Sequence, residues 1–396
     1  MKSYNFDKII NRKETNSVKW DILRFKFRTE DVLPMWVADM DFETPDFVRE
    51  AITERVKHPI YGYSIRGNEY YSSIIDWNER RYNWKIKKSH IIFSPGIVPA
   101  LSIAVNTLTK PGDKIVIQSP VYFPFKSAVL QNGRQLIENK LLIENGRYTF
   151  DFEDLKKQID KRTKLLILSN PHNPGGTVWT KGELEELAEI CAKHNIIVVS
   201  DEIHNDLAFE PHQYTPVSNI AEKSGLRYVS MIAPSKTFNL AGLSSSSVII
   251  EDNELRQQFN AFMETTHLSG GNLFGAVASE AVYTQGEEWL RELKLYLKAN
   301  IDYVADFIAE EKLPVKMMRP EATYLIWLDF RDIGMNDSEL KQFLVKKARL
   351  GLNAGESFGP GGEGFARMNI ACPRVIVEEA MVRLKHAFKE RKQNSN

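Results

Sequence analysis

The chain of 396 residues contains 43% hydrophobic and 26% charged residues, an ordinary composition for a folded, water-soluble protein. Lysine and arginine together number 52, as do aspartate and glutamate, so this balance predicts no binding to nucleic acid or to an anionic membrane surface. The presence of only two cysteines argues against a disulfide framework. The polar N-terminus argues against a signal peptide, and the lack of an apolar run of about 18 residues argues against a membrane helix. Together these features predict a cytoplasmic protein.

The first helix that the sequence marks clearly follows Gly96. Pro99 falls near its first turn, a position that suits proline, and Pro111 with Gly112 follows its end. Backbone N–H groups at a helix N-terminus form a site for a phosphate group. A single glycine before a helix is equally compatible with an ordinary helix start, so both interpretations stay open.

Short apolar runs alternate with helical patterns in the middle of the chain. Nearly continuous apolar runs are typical of strands that are covered on both faces in a mostly parallel sheet. They lie at residues 114–117, 165–168, 196–199 and 247–250. A helix is predicted from a capping box formed by Thr180 and Glu183, and its apolar face includes Cys191, which favours core packing over chemistry for that thiol.

The C-terminal part carries a different pattern. A long amphipathic pattern over residues 287–311 predicts a helix that leaves the sheet, and residues 324–328 and 365–370 predict strands of a smaller unit. The length of the chain is too great for one ordinary compact domain, so we expect two unequal domains or one large α/β unit.

Three polar residues stand after strand-like runs, and together they indicate a specific chemistry. Asp201 follows the run 196–199, and Lys236 follows another apolar stretch. Asn173 lies in the loop 170–176, where two prolines fix the backbone and where we expect two glycines to make it more flexible. Pyridoxal phosphate needs such a set, because a lysine forms a Schiff base with its aldehyde, a carboxylate keeps its pyridine nitrogen protonated, and an amide binds its phenolic oxygen. Taken singly, each residue has a plain structural interpretation: Lys236 as a surface lysine, Asp201 as a helix N-cap and Asn173 as a turn residue.

Two further residues are candidates for binding. Tyr122 follows the run 114–117 and would stack on a flat cofactor, although a core aromatic residue explains it equally well. Arg367 would bind the α-carboxylate of an amino acid through two hydrogen bonds, with an ordinary salt bridge as the alternative. Arg374 is a second candidate for this clamp.

In their order along the chain, several segments resemble the fold-type I pyridoxal phosphate enzymes, and more narrowly their cystathionine β-lyase branch of PatB- and MalY-like proteins. These segments are residues 33–42, 61–63, 170–176, 200–204, 234–243 and 367–374. The resemblance implies an α/β fold with a large domain at residues 51–286, built on a mostly parallel seven-stranded sheet flanked by helices. It also implies a smaller α+β domain from residues 1–50 and 287–396, and a homodimer with shared active sites.

The resemblance also implies roles for individual residues. Lys236 would be the Schiff-base lysine, Asp201 the partner of the pyridine nitrogen and Asn173 the ligand of the phenolic oxygen, with Tyr122 stacked on the ring. Lys236, Asp201 and Tyr122 would be the catalytic residues, and no metal ion is expected. The other implied cofactor ligands are Gly96, Ile97, Val98, His204, Ser235 and, from the second subunit, Tyr63. The implied substrate ligands are Arg367, Trp36, Val37 and Ala38.

Two positions depart from the wider transaminase pattern. Many transaminases carry tyrosine where this chain has His204, and a phosphate-binding arginine where it has Ser244. Both differences agree with the lyase branch and weaken a transaminase assignment.

We therefore predict a C–S β-lyase that converts L-cystathionine, L-cystine or another S-substituted cysteine into pyruvate, ammonia and a thiol. Lys236 would remove the Cα proton as the general base. The alternatives are an aminotransferase that uses the same residues and a regulatory protein that keeps the cofactor only as a scaffold. The intact set of Lys236, Asp201 and Asn173 argues against the regulatory alternative, because binding alone needs no electron sink.

Overall fold

The computed structural model describes residues 4–394. Its helices, in chain order, are α1 (Val18–Asp21), α2 (Leu23–Phe27), α3 (Asp46–Lys57), α4 (Asn68–Tyr82), α5 (Ile97–Leu108), α6 (Pro124–Leu130), α7 (Phe152–Gln158), α8 (Lys181–Lys193), α9 (Ser218–Ser224), α10 (Asn253–Thr265), α11 (Leu273–Gln285), α12 (Glu287–Glu310), α13 (Asp337–Gln342) and α14 (Arg374–Asn394). Its strands are β1 (Leu33–Pro34), β2 (Ile91–Ser94), β3 (Lys114–Ile117), β4 (Gln135–Glu138), β5 (Leu142–Glu144), β6 (Arg147–Thr149), β7 (Thr163–Ser169), β8 (Ile197–Asp201), β9 (Tyr228–Ile232), β10 (Ser246–Ile249), β11 (Lys316–Met318), β12 (Leu325–Asp329), β13 (Leu350–Gly351), β14 (Asn353–Ala354) and β15 (Phe365–Asn369).

The large sheet has seven strands in the order β2-β10-β9-β8-β7-β3-β4. Only β10 runs antiparallel to its neighbours within this sheet, so the predicted mostly parallel sheet of seven strands is confirmed. Alternate residues of one strand enter different cores: Val199 packs with α5 and α10, whereas Val198 packs with α8 and α9. Burial on both faces explains why these strands read as continuous apolar runs.

The smaller sheet is antiparallel and has four strands in the order β11-β12-β15-β14. A short parallel pair joins the N-terminal part of the chain to this half, because Leu33 in β1 pairs with Leu350 in β13. This pairing supports our proposal of a discontinuous small domain (residues 1–50 and 287–396) beside a large one (residues 51–286).

Most sequence-predicted elements agree with the structure to within one or two residues. The capping box of Thr180 and Glu183 begins α8, and the predicted helix at 287–311 is α12. The predicted burial of Cys191 is also confirmed. No helix in the described range is long and apolar enough to cross a membrane.

The loop 170–176 differs from the prediction. Glycines were expected to loosen it, and this expectation is wrong, because both glycines are buried and closely packed. A Cβ atom on Gly176, whose φ is +69°, would lie 2.6 Å from Pro320 Cβ and 2.9 Å from the carbonyl oxygen of Ala322. One on Gly175 would lie 2.4 Å from the ring of Tyr148. The glycines therefore allow tight packing, and they place the loop firmly at the end of β7.

Candidate active site

The carboxyl ends of the parallel strands meet at one edge of the large sheet, which is where α/β proteins bind ligands. Asp201 is the last residue of β8, Asn173 follows β7, and Lys236 follows β9. Backbone hydrogen bonds fix these segments to one another. The N–H of Asn170 donates to the Asp201 carbonyl at 2.9 Å, and the N–H of Tyr122 donates to the Asn173 carbonyl at 3.1 Å. The structure thus brings together the polar residues that the sequence singled out.

Lys236 lies partly buried at the centre of this edge. Its Nζ donates a hydrogen bond of 2.6 Å to the carbonyl oxygen of Ala38. Burial, and then the charge of Arg367, lower the pKa of Lys236 to about 8, against the opposing effect of Asp39 and Asp201. A substantial fraction of this amine is therefore neutral near physiological pH and able to accept a proton or form a covalent bond.

Asp201 is buried, and its Oδ1 accepts a hydrogen bond of 3.1 Å from the N–H of Ile203. Burial raises the pKa of Asp201 to about 7, although this hydrogen bond and the charge of Lys236 act in the opposite direction. Within residues 4–394 no cation forms an ion pair with this carboxylate. A protonated ring nitrogen would supply the positive partner that Asp201 lacks.

Arg367 is only 2% exposed and lies in β15 of the small sheet. It donates from Nη1 to Asn173 Oδ1 at 2.9 Å and from Nη2 to the Trp36 carbonyl at 3.0 Å. Both acceptors are neutral, so among the described residues the salt-bridge alternative is not observed. Burial lowers the pKa of Arg367 to about 10, and its Nε has no hydrogen-bond partner in the described part of the chain.

Arg374, the second candidate for the clamp, is engaged elsewhere. It begins α14, where its Nε donates to Asn300 Oδ1 at 2.8 Å and its guanidinium lies 4.9 Å from the ring centre of Tyr303. Arg367 is therefore the candidate that faces the sheet edge.

His204 is buried beside Tyr324, with a distance of 6.2 Å between the ring centres. Burial, together with the charges of Lys236 and Arg367, holds the pKa of His204 well below its ordinary value, so the imidazole is neutral. Its Nδ1 has no hydrogen-bond partner among residues 4–394. A neutral imidazole with a free ring nitrogen is able to accept or donate one hydrogen bond to a ligand.

The predicted phosphate cradle lies at the start of α5. Gly96 is its N-cap, Ile97 is buried and Val98 is partly exposed, while Ser235 is half-buried beside Lys236. The first N–H groups of a helix have no partner within the helix and are available to an anion. The half-buried Tyr122 follows β3, and burial raises its pKa, which keeps the phenol neutral.

Tyr63 does not join the other predicted site residues within this chain. Its side chain is fully exposed, and the neighbouring side chains of Ile60 and Ile65 are also largely exposed. Tyr61, by contrast, is held within its own chain, because its hydroxyl donates to the Val56 carbonyl at 2.9 Å.

The segment 36–40 forms a wall of carbonyl groups, each of which accepts a side-chain hydrogen bond. Sequence reasoning included Trp36, Val37 and Ala38, together with the donors Lys236 and Arg367, but missed the other donors that hold this segment. The donors are Arg367 and Asn353 for Trp36, Asn369 for Val37 and Asp39, Lys236 and Tyr324 for Ala38, and Asn239 and Arg12 for Met40. The period of two in a strand places Asn369 on the same face as Arg367, a signal that could have identified it.

These residues fit pyridoxal phosphate. Within residues 4–394, a buried carboxylate in no ion pair, a neutral histidine with an unpartnered nitrogen and a buried guanidinium with an unpartnered N–H lie around a lysine with a lowered pKa. A cationic ring nitrogen, an aldehyde and the carboxylate of an amino acid satisfy this set of groups.

Comparison with known proteins supports the same interpretation. Residues 30–384 match the family described as aminotransferase class I and II. The chain is 44% identical over 385 residues to cystathionine beta-lyase PatB of Bacillus subtilis (strain 168), covering 97% of this chain and all (100%) of that protein. It is 31% identical to protein MalY of Escherichia coli (strain K12), covering 98% of this chain and 99% of MalY. The crystal structure of cystalysin from Treponema denticola, which contains a pyridoxal 5'-phosphate cofactor, superposes with a TM-score of 0.95 at 35% identity, covering 98% of this chain and 100% of cystalysin.

Proposed function

The chain belongs to the aminotransferase class I and II family, and we propose that it is a pyridoxal-phosphate-dependent C–S β-lyase. Its substrate would be an S-substituted L-cysteine such as L-cystathionine or L-cystine. With L-cystathionine and water, the products are L-homocysteine, pyruvate and ammonia. The observation that carries the proposal is the meeting of Lys236 and Asp201, at the edge of the large sheet, with Arg367, which contacts Asn173 from the small sheet, in a chain similar along its whole length to a cystathionine beta-lyase.

Residues from several elements would hold the cofactor. Lys236 would bind it covalently, Asp201 would pair with its ring nitrogen, and Asn173 would bind its phenolic oxygen. When bound, pyridoxal phosphate supplies an electron sink for a carbanion at the substrate Cα. The remaining ligands would be Tyr122 and His204 beside the ring, and Gly96, Ile97, Val98 and Ser235 around the phosphate.

Arg367 would bind and orient the substrate through its α-carboxylate. Its burial strengthens a charge-assisted hydrogen bond, since little water competes for the guanidinium. Asn173 and the Trp36 carbonyl hold its Nη1 and Nη2 atoms through hydrogen bonds. The Trp36–Val37–Ala38 wall would then limit the access of water to the Cα.

Lys236 would move the proton that starts the elimination. A base with a pKa of about 8 is partly neutral at physiological pH, and it still has enough proton affinity to take the Cα proton. Asp201, buried at the sheet edge, would remain ionised opposite a protonated ring nitrogen. The sulfur at Cβ then leaves as a thiolate with the electron pair of the C–S bond.

One assay separates this function from its rivals. Purified holoenzyme is incubated with L-cystathionine without any keto acid, and pyruvate, ammonia and free thiol are measured together. We expect the three in equal amounts. Consumption of L-cystathionine that begins only after a keto acid is added, with the keto acid converted into its amino acid and no thiol released, indicates an aminotransferase, and cofactor binding without either reaction indicates a regulatory protein.

The assembly and location of the protein are also part of the proposal. A homodimer, in which Tyr63 reaches the phosphate bound by the neighbouring subunit, is supported by the exposure of Tyr63, Ile60 and Ile65 in one segment. A cytoplasmic location agrees with the two free, buried thiols of Cys191 and Cys372.

A further inference from the structure

The Ala38 carbonyl, which accepts the hydrogen bond from Lys236, lies between two carbonyls that one side chain holds. The Nδ2 atom of Asn369 donates to the carbonyl oxygens of Val37 and Asp39, both at 2.6 Å. A single amide nitrogen therefore binds the backbone immediately before and immediately after Ala38. Asn369 is only 1% exposed, so little water competes for these hydrogen bonds.

Asn369 belongs to the strand that also carries the candidate substrate ligand. It is the last residue of β15, two positions after Arg367 and therefore on the same face. Its backbone N–H donates to the Met35 carbonyl at 2.8 Å, and its Oδ1 accepts a hydrogen bond of 2.8 Å from the N–H of Ala371. The side-chain amide uses its oxygen and its nitrogen, which fixes its orientation. One strand thus positions both the guanidinium and the segment that meets Lys236.

A neutral backbone carbonyl is the observed partner of the Lys236 amine. The Nζ atom donates to the Ala38 oxygen at 2.6 Å, and among residues 4–394 no carboxylate forms an ion pair with it. The hydroxyl of Tyr324 donates to the same oxygen at 3.0 Å. A carbonyl directs the N–H groups of a lysine without the strong preference for the ammonium form that an adjacent carboxylate imposes. The charged and titratable groups around the amine are Asp39, Asp201, Arg367, His204 and Tyr324.

We propose that Asn369 is a positioning residue: by binding the carbonyls on each side of Ala38, it keeps the Ala38 oxygen directed at the Lys236 amine. The inference rests on the proposed function, in which Lys236 takes the Cα proton. The lone pair of the amine forms the new N–H bond, the electron pair of the C–H bond stays with the substrate carbon, and the amine becomes an ammonium ion. An ammonium ion in a partly buried place is costly unless its N–H groups are hydrogen-bonded. The Ala38 carbonyl is oriented in advance to accept one of these hydrogen bonds.

Competitive labelling with acetic anhydride tests the inference in the full-length, cofactor-free chain. The acetylation of Lys236 is followed by peptide mass spectrometry over a series of neutral and alkaline pH values, relative to the exposed Lys161. In Asn369→Ala the Ala38 carbonyl is no longer held toward the amine, so the ammonium form loses a fixed acceptor. The labelling midpoint of Lys236 should therefore move to lower pH by about one unit.

Asn300→Ala is the matched control. Asn300 is fully buried, and its Nδ2 also donates to two carbonyls that flank one residue, those of Ile370 at 3.0 Å and Cys372 at 3.1 Å. These hydrogen bonds do not involve the segment 36–40. The control variant should therefore keep the wild-type labelling midpoint of Lys236.

A lower midpoint in Asn369→Ala alone supports the inference. An unchanged or higher midpoint in that variant, or an equal shift in both variants, overturns it and leaves Asn369 with a purely structural role. Circular dichroism checks that each variant is folded. Where an alanine variant does not fold, the serine variant at the same position replaces it and is judged by the same outcomes. Because the labelling needs neither substrate nor cofactor, a chain that releases no pyruvate disproves the proposed function without altering this result.

Discussion

At the scale of single residues, the chemistry depends on buried charges that have no ion-pair partner among residues 4–394. Arg367 has neutral acceptors in Asn173 and Trp36, and Asp201 has a backbone donor in place of a cation. Each is costly to keep in this state. A ligand that brings an anion to Arg367 and a cation to Asp201 repays that cost, so the site is arranged for an amino acid and a protonated ring.

The Arg367→Lys variant tests the substrate clamp. The compact ammonium group of lysine replaces the planar guanidinium group, which donates two parallel hydrogen bonds. The KM for L-cystathionine should therefore rise about 10- to 100-fold, which corresponds to the loss of one charge-assisted hydrogen bond of about 1.5–3 kcal/mol. The kinetics of pyruvate release give KM and kcat separately. Arg374→Lys is the control and should leave KM close to the wild-type value. The reverse result would transfer the clamp to Arg374.

Residues at the ends of apolar runs could be predicted from the sequence, because a polar side chain after a strand stands out. Lys236, Asp201 and Asn173 belong to this group. Tyr324 and Asn239 could not be predicted in the same way. Their hydrogen bonds to the carbonyl wall depend on how distant segments meet in the fold, and nothing in their local sequence marks them.

At the scale of elements, the loop 170–176 positions Asn173 through close packing of glycine. Placing a residue other than glycine in the left-handed conformation costs about 1–2 kcal/mol. We expect Gly176→Ala to lower the free energy of unfolding by more than this, because the new Cβ would also lie 2.6 Å from Pro320 Cβ. Gly112→Ala is the matched control, with φ of +88° and nothing within 4 Å of the new Cβ. Urea titration compares the two variants. Equal losses would show that contact with Pro320 does not constrain the loop.

Patterns of hydrophobicity and capping predicted three of the helices (α5, α8 and α12) and six of the strands (β3, β7, β8, β10, β12 and β15), since these patterns depend on neighbouring residues. The antiparallel direction of β10 and the pairing of β1 with β13 were not predicted, because strand pairing depends on contacts between distant parts of the chain. The same limit explains the error in the loop 170–176. The glycines are visible within the loop sequence, but their contact with Pro320, which is distant in the chain and lies against Gly176, is not.

At the scale of the whole molecule, one chain contains nearly all of the proposed site, and the proposed second subunit adds Tyr63. Tyr63→Phe should weaken cofactor retention about 10- to 100-fold, since a hydrogen bond to a charged group contributes about 1.5–3 kcal/mol. This donor matters more in a chain whose Ser244 replaces a phosphate-binding arginine. Tyr61→Phe is the control, because the Tyr61 hydroxyl donates to Val56 of its own chain. Dialysis followed by cofactor titration measures both, and equal retention would remove Tyr63 from the site.

The most direct test of the proposed mechanism is the rate of pyruvate release from L-cystathionine by Lys236→Ala, beside Lys161→Ala as a control for an exposed lysine. Lys236 would both hold the cofactor and remove the Cα proton, so its loss should lower the rate by at least about a thousandfold. The Lys161→Ala variant should release pyruvate at the wild-type rate. Turnover by Lys236→Ala within a few-fold of wild type would contradict the assignment of Lys236 as the catalytic base.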